Sequence, residues 1–270
     1  GFTNPPTAAA GANDPAPFAP FPTTAAMPDT RSALCADDAV LLKVINLALA
    51  RLGIDGFDRL HTIYAQADAQ FLMTLPVLDH FGERPQQRYL GVAPPRPLAT
   101  PVWPTGPGPR LFGYLLTIAS LERLLQDLRQ SGACTLLYVH ALPARLKAAY
   151  SSEHLRFSSE LVDLGQVAQQ ADGVISHGNH NTTACFVQAG LPQLLIPLHQ
   201  EHLLLAKGLL QQGCALMAYQ DQHDYDNELA ALVSDPRLRQ QAARVRALCP
   251  DPATLDASGH MRQTFLTLLA

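Results

Sequence analysis

The stretch Gly173–His202 reads GVISHGNHNTTACFVQAGLPQLLIPLHQEH, and its order of residue types decides the fold. Val174 and Ile175 form a short apolar run that stops at a polar turn, residues 176–183. A helix-compatible stretch, residues 184–189, follows and closes on Gly190-Leu191-Pro192. The same order then recurs. Residues 193–197 read as a second buried strand, residues 198–202 as its loop and residues 203–212 as a helix ended by Gly213. Strand, loop and helix in tandem place two polar loops at the carboxyl edge of a parallel sheet, where ligands bind in open α/β folds. A helix N-terminus there offers unpaired N–H groups and a positive dipole to an anion. Asn181, Thr182 and Thr183 at that helix start are equally the residue types of an ordinary N-cap, whose oxygens satisfy the helix's own donors.

Working outward, residues 111–116, 135–140, 173–176 and 193–196 are candidate strands, with shorter ones at 155–157 and 215–217. Helical patterns at 121–130, 162–170 and 203–212 alternate with them, which predicts a Rossmann-like, doubly wound parallel α/β sheet over residues 110–250. Residues 236–247 and 253–269 read as helical, broken by Pro250 and Pro252, so residues 251–270 are expected to add a C-terminal helix. Upstream, residues 94–109 hold Pro94, Pro95, Pro97, Pro101, Pro104, Pro107 and Pro109, a density that stiffens a chain and reads as a linker. Residues 1–93 form the remaining part: a Pro- and Ala-rich start over 1–30, amphipathic helices at 33–52 and 57–67, and short strands at 71–75 and 88–92. These pieces are too few for a self-sufficient domain.

Composition narrows the function. The 19 Lys plus Arg against 23 Asp plus Glu give a formal charge of -4, without the basic footprint of a nucleic-acid or anionic-membrane binder. No apolar run approaches the ~20 residues that span a bilayer. The five cysteines, Cys35, Cys134, Cys185, Cys214 and Cys249, lack the close paired spacing of a zinc or redox motif. Free buried thiols in a reducing, cytoplasmic compartment are the expectation. His177 and His180, with His199 and His202, make two His-x-x-His pairs on neighbouring loops, so a His-based metal-binding module is a further reading of the same residues.

The ordered set His177-Gly178-Asn179-His180-Asn181-Thr182, then Ala189-Gly190-Leu191-Pro192, Pro197-Leu198 and Glu201-His202 resembles the nucleotide-sugar-dependent glycosyltransferases of the GT-B fold, in particular the macrolide and plant natural-product group. The resemblance implies that His177, Gly178, Asn181 and Thr182 hold the donor diphosphate and that Glu201 and His202 meet the donor sugar. It implies a hexosyl-type transfer from a UDP- or dTDP-sugar to a small acceptor, with no metal or other cofactor. Asn179, Cys185 and His202 stand where such enzymes usually carry glycine, a ribose-binding glutamate and glutamine. Residues 1–93 resemble the later part of the acceptor-side domain, so the chain is expected to be N-terminally truncated. The general base is then expected in the missing half, and no catalytic residue is assigned. A non-catalytic nucleotide-sugar-binding remnant is the alternative.

Overall fold

A computed structural model describes residues 30–270 apart from 61, 63–66, 83, 85–86, 94–95 and 252–253, and side chains from residue 39 onward. Six strands form one parallel sheet: β1 Arg110–Leu115, β2 Cys134–Val139, β3 Leu155–Phe157, β4 Gly173–Ser176, β5 Gln193–Leu195 and β6 Ala215–Met217. Their order is β3-β2-β1-β4-β5-β6, and every pairing is parallel. The chain therefore moves outward from β1 in one direction, returns, and continues from β4 in the other. The crevice between the carboxyl ends of β1 and β4 is the switch point of the sheet, the place such folds use for ligands.

The strands are apolar almost throughout because helices cover both faces. On one face, α2 (Leu121–Gln130), α3 (Ala144–Tyr150) and α7 (Asp226–Ser234) pack Leu124, Leu125, Leu128, Leu146, Leu229 and Leu232 against Leu111, Leu137 and Ile175. On the other, α4 (Leu164–Gln170), α5 (His180–Ala189), α6 (Gln200–Gln211) and α8 (Pro236–Leu248) bury Val167, Phe186, Leu205 and Val245. Outside this unit, the described residues also form the helices α1 (Thr30–Arg51) and α9 (Ala257–Leu268). The doubly wound sheet expected from the sequence is thus present, with both short strands included.

Several boundaries move, each for a local reason. The helix expected from residue 162 begins at Leu164 because the Asp163 side chain caps it, accepting from the Gln166 N–H at 3.0 Å. The helix expected from 184 begins at His180, and the one expected from 203 begins at Gln200. Asn181, Thr182, Glu201 and His202 therefore sit in first helical turns, not in loops. Gly190 ends α5 in the left-handed region at φ 73°, with its N–H on the Val187 carbonyl and the Leu191 N–H on Phe186.

The strands expected at 71–75 and 88–92 shrink to a single parallel bridge, Leu72 to Tyr89, with the Leu90 N–H donating to Leu72 at 2.8 Å. Pro76, lacking a donor, opens a 3₁₀ turn over Pro76–Leu78 and stops the pairing. Of the helix expected over 57–67, residues 58–60 are bend and turn and residue 62 is helical, while 61 and 63–66 lie outside the described residues, as do 1–29. The Pro-rich segment lies along the sheet domain: Pro101 and Pro104 are buried, Ala99 exchanges backbone bonds with Leu161 and Asp163, and the Trp103 indole donates to Gln170 at 2.7 Å. Residues 75 and 78 join the core around α5 and α6, which seats the segment before the Pro-rich stretch directly on these two helices.

Candidate functional site

Three chain segments meet at the switch point: the loop after β1 (residues 116–120), the turn after β4 (177–179) and the loop after β5 (196–199). His177 joins them. Its ring is buried at 2% exposure. The Leu116 N–H donates to Nε2 at 2.7 Å, so that nitrogen is the acceptor, and Nδ1 carries the proton it donates to the Ile196 carbonyl at 2.8 Å. Burial pushes its pKa down, against the two backbone hydrogen bonds, which raise it. The neutral ring is thus a brace between β1, β4 and β5, with both nitrogens occupied. Direct donation from this neutral side chain to a diphosphate requires its Nδ1–H to leave the Ile196 carbonyl.

Gly178 follows at φ +88°, a conformation that glycine adopts without strain. A Cβ placed there meets the His202 carbonyl oxygen at 3.3 Å, so the turn also lies close against the first turn of α6. Asn179 is the N-cap of α5 by backbone geometry, its carbonyl accepting from the Thr183 N–H at 2.9 Å and its side chain making no cap bond. The N–H groups of His180, Asn181 and Thr182 precede that first helical bond and have no partner within the helix. Asn181 is exposed, while Thr182 and His180 are buried. The turn therefore presents main-chain donors and one amide at the positive end of a ten-residue helix.

The neighbouring helix α6 begins beside it. Glu201 is half-buried in its first turn, and His202 is 5% exposed. The His202 ring stacks on His199 with centroids 3.6 Å apart and lies nearly parallel to His177 at 6.5 Å. Burial, then the two neighbouring imidazoles, push its pKa down to about 4. Its Nδ1 is buried without a hydrogen-bond partner among the described residues. The two His-x-x-His pairs do not converge: His177 is spent on backbone, His180 points to Thr74 at 2.7 Å, and His199 and His202 face one another. Among the described residues no group of three or more His, Cys, Asp or Glu is arranged to hold a metal ion.

Cys185 lies further along α5, where its thiol donates to the Leu164 carbonyl at 3.9 Å and burial pushes its pKa to about 11. It lines a cavity of about 810 Å³ with Gly165, Gln169, Gln188, Arg246 and Met261, toward the far end of the helix from the turn. Two features of the site were not singled out in the sequence. The loop after β1 is anchored at both ends, by Leu116 on His177 and by Ser120, whose N–H and hydroxyl both donate to the Gln220 carbonyl at 3.1 and 2.7 Å. Thr117, exposed between these anchors, donates to the His140 carbonyl at 3.3 Å. The second feature is Thr74, which is 106 residues from its partner His180. Only the Leu-Thr that follows the buried run of β1 carries a local signal for the first, and nothing local signals the second.

A doubly wound sheet with its helix N-termini at this crevice has the architecture of one half of the GT-B fold. Residues 144–255 match the family described as Erythromycin biosynthesis protein CIII-like, C-terminal domain, and that segment carries this domain. Among solved structures, the chain is similar to the glycosyltransferase SnogD from Streptomyces nogalater at 22% identity and a TM-score of 0.59, covering 88% of this chain and 64% of that one. It is similar to the glycosyltransferase VinC in complex with DTDP at 17% identity and a TM-score of 0.54, covering 69% and 49%. The glycosyltransferase SsfS6 of Streptomyces sp. SF2575, complexed with thymidine diphosphate, aligns at 20% identity and a TM-score of 0.53, covering 88% and 60%. The chain thus spans between about half and just under two thirds of the length of these relatives. Comparison with curated proteins gives no significant match. No helix among the described residues is long and apolar enough to cross a membrane.

Proposed function

We propose that this chain binds the diphosphate of a nucleoside diphosphate sugar at the N-terminus of α5 and serves sugar transfer to a small-molecule acceptor. The observation that carries this reading is the turn His177-Gly178-Asn179 at the switch point, which leaves the N–H groups of His180, Asn181 and Thr182 pointing along a helix axis into the crevice. Hydrogen bonds to charged groups contribute about 1.5–3 kcal/mol each, so the three N–H groups alone offer several kcal/mol to a diphosphate. Their advantage grows during transfer, because negative charge accumulates on the departing nucleoside diphosphate and preorganised donors favour the state in which it develops. Helix dipole and amide donors meet that charge without requiring a metal ion.

Glu201 and His202 in the first turn of α6 are proposed to meet the donor sugar. The buried Nδ1 of His202 lacks a partner that a sugar hydroxyl supplies, and the Glu201 carboxylate accepts from hydroxyls. Two of the similar structures hold thymidine diphosphate, which makes a dTDP-sugar the first donor to test. The free thiols of Cys134, Cys185, Cys214 and Cys249 support a reducing, cytoplasmic setting. Titration calorimetry of the chain with dTDP and UDP tests the proposal. We expect saturable binding of one of them, weakened by Asn181→Ala. If neither nucleotide binds, the assignment of this turn to a diphosphate is wrong.

A further inference from the structure

Building on the diphosphate reading above, we infer that His180 and Thr74 are positioning residues that orient the Asn181 amide, so that the segment before the linker sets the donor site. His180 is the first residue of α5, and its ring is buried at 7% exposure. Its Nε2 lies 2.7 Å from the hydroxyl of Thr74, which is fully buried, and its Nδ1 lies 3.3 Å from Oδ1 of Asn181. Burial lowers the pKa of the ring, against the Asn181 bond and the charge of Glu201, which raise it.

In the neutral ring one nitrogen donates and the other accepts. An amide oxygen only accepts, so a bond to Asn181 Oδ1 places the proton on Nδ1, and Nε2 then accepts from the Thr74 hydroxyl. The chain of bonds runs Thr74 O–H to His180, then His180 N–H to the Asn181 oxygen. With that oxygen held, the two N–H donors of the Asn181 amide are turned outward, the polarity a phosphate oxygen needs. Reversing the tautomer would present the amide oxygen instead, which repels an anion. Thr74 is itself fixed, because Leu75 before the Pro76 turn and Leu78 at its end are buried in one cluster with Ala184 and Val187 of α5 and Leu205 of α6. The acceptor-side segment therefore touches the donor site through one hydroxyl.

The test is calorimetry with dTDP and UDP on wild type, Thr74→Val, Asn181→Ala and the double variant. Loss of one hydrogen bond in the chain should weaken nucleotide affinity by roughly 2- to 12-fold in Thr74→Val. Because Thr74 acts through Asn181, the same substitution in the Asn181→Ala background should change affinity by less than about 2-fold, the margin of simple additivity. A structural role alone would give the same loss in both backgrounds, and that result overturns the proposal. So does wild-type affinity in Thr74→Val when the wild type binds, which leaves the diphosphate site itself standing. If the wild type binds neither nucleotide, both readings fall. Should Thr74→Val unfold, His180→Phe, which keeps the ring volume and removes both nitrogens, takes its place in the same comparison with the same outcomes.

Discussion

Replacing His177 by alanine separates two roles that the sequence alone does not distinguish. In the structure both ring nitrogens are bonded to backbone, to the Leu116 N–H at 2.7 Å and the Ile196 carbonyl at 2.8 Å. Ile196 is fully buried, so its carbonyl loses a partner that water cannot replace, at about 1–3 kcal/mol. Leu116 is partly exposed, and its N–H costs nearer the ordinary net value of about 0.5–1.5 kcal/mol. The emptied ring volume adds to this, which brings the expected destabilisation to about 2–5 kcal/mol, a large share of the about 5–15 kcal/mol that holds a typical domain together. Urea unfolding followed by fluorescence or circular dichroism, with the slope checked for constancy, measures it. Nucleotide affinity should fall as well, because the loops after β1 and β5 lose their common brace. A residue whose purpose was direct donation to the diphosphate would behave otherwise: His177→Ala would lose affinity while unfolding within about 0.5 kcal/mol of wild type, as surface substitutions do. That outcome would refute the brace.

Further predictions follow from the same geometry. Gly178→Ala, forced to φ +88° with its methyl 3.3 Å from the His202 carbonyl, should destabilise the fold by about 1–2 kcal/mol and displace the start of α6, seen as a lower melting temperature and weaker dTDP binding. The folded-state pKa values of His177, His180 and His202 all lie below the ordinary value of 6.5. The unfolded chain therefore binds more protons at these sites, so their contribution is complete above about pH 6.5 and is lost as the pH falls, for His202 down to about 4. A His202→Phe variant should therefore show a shallower loss of stability between those pH values. Asp127 is buried on α2, where it pairs with Arg123 at 2.9 Å and accepts from the Tyr225 N–H at 2.9 Å. Asp127→Ala strands that buried N–H and should cost about 1–3 kcal/mol in thermal or urea unfolding, without changing nucleotide affinity after correction for the folded fraction.

Much of this protein was legible in its sequence because the information was local. The runs Val174-Ile175 and Leu194-Leu195 are buried on both faces and must be apolar, so their strands could be read directly. Gly190 marks a helix end because that position takes a positive φ. The alternation of strand and helix fixed a parallel sheet, since parallel neighbours need a crossover between them. The helix starts were harder, because Asn179 and His199 cap α5 and α6 by backbone conformation with no side-chain bond to announce it. Residues 71–92 misled for a related reason: Leu72 and Tyr89 have the composition of strands, but a single bridge is all the pairing they find beside Pro76.

The sequence by itself thus determined the doubly wound sheet, the two polar loops at one edge and the set of residue types gathered there. Only the tertiary structure decided what each side chain does. His177, read as a donor from its place in the motif, has both nitrogens committed to strand-end loops whose residues are 61 and 19 positions away along the chain. His180, outside the set expected to hold the diphosphate, pairs with Thr74. A histidine's role depends on which atoms stand opposite its two nitrogens, and those atoms arrive from distant segments once the sheet has closed. Spacing along a chain selects which residues reach an edge, whereas packing assigns their donors and acceptors.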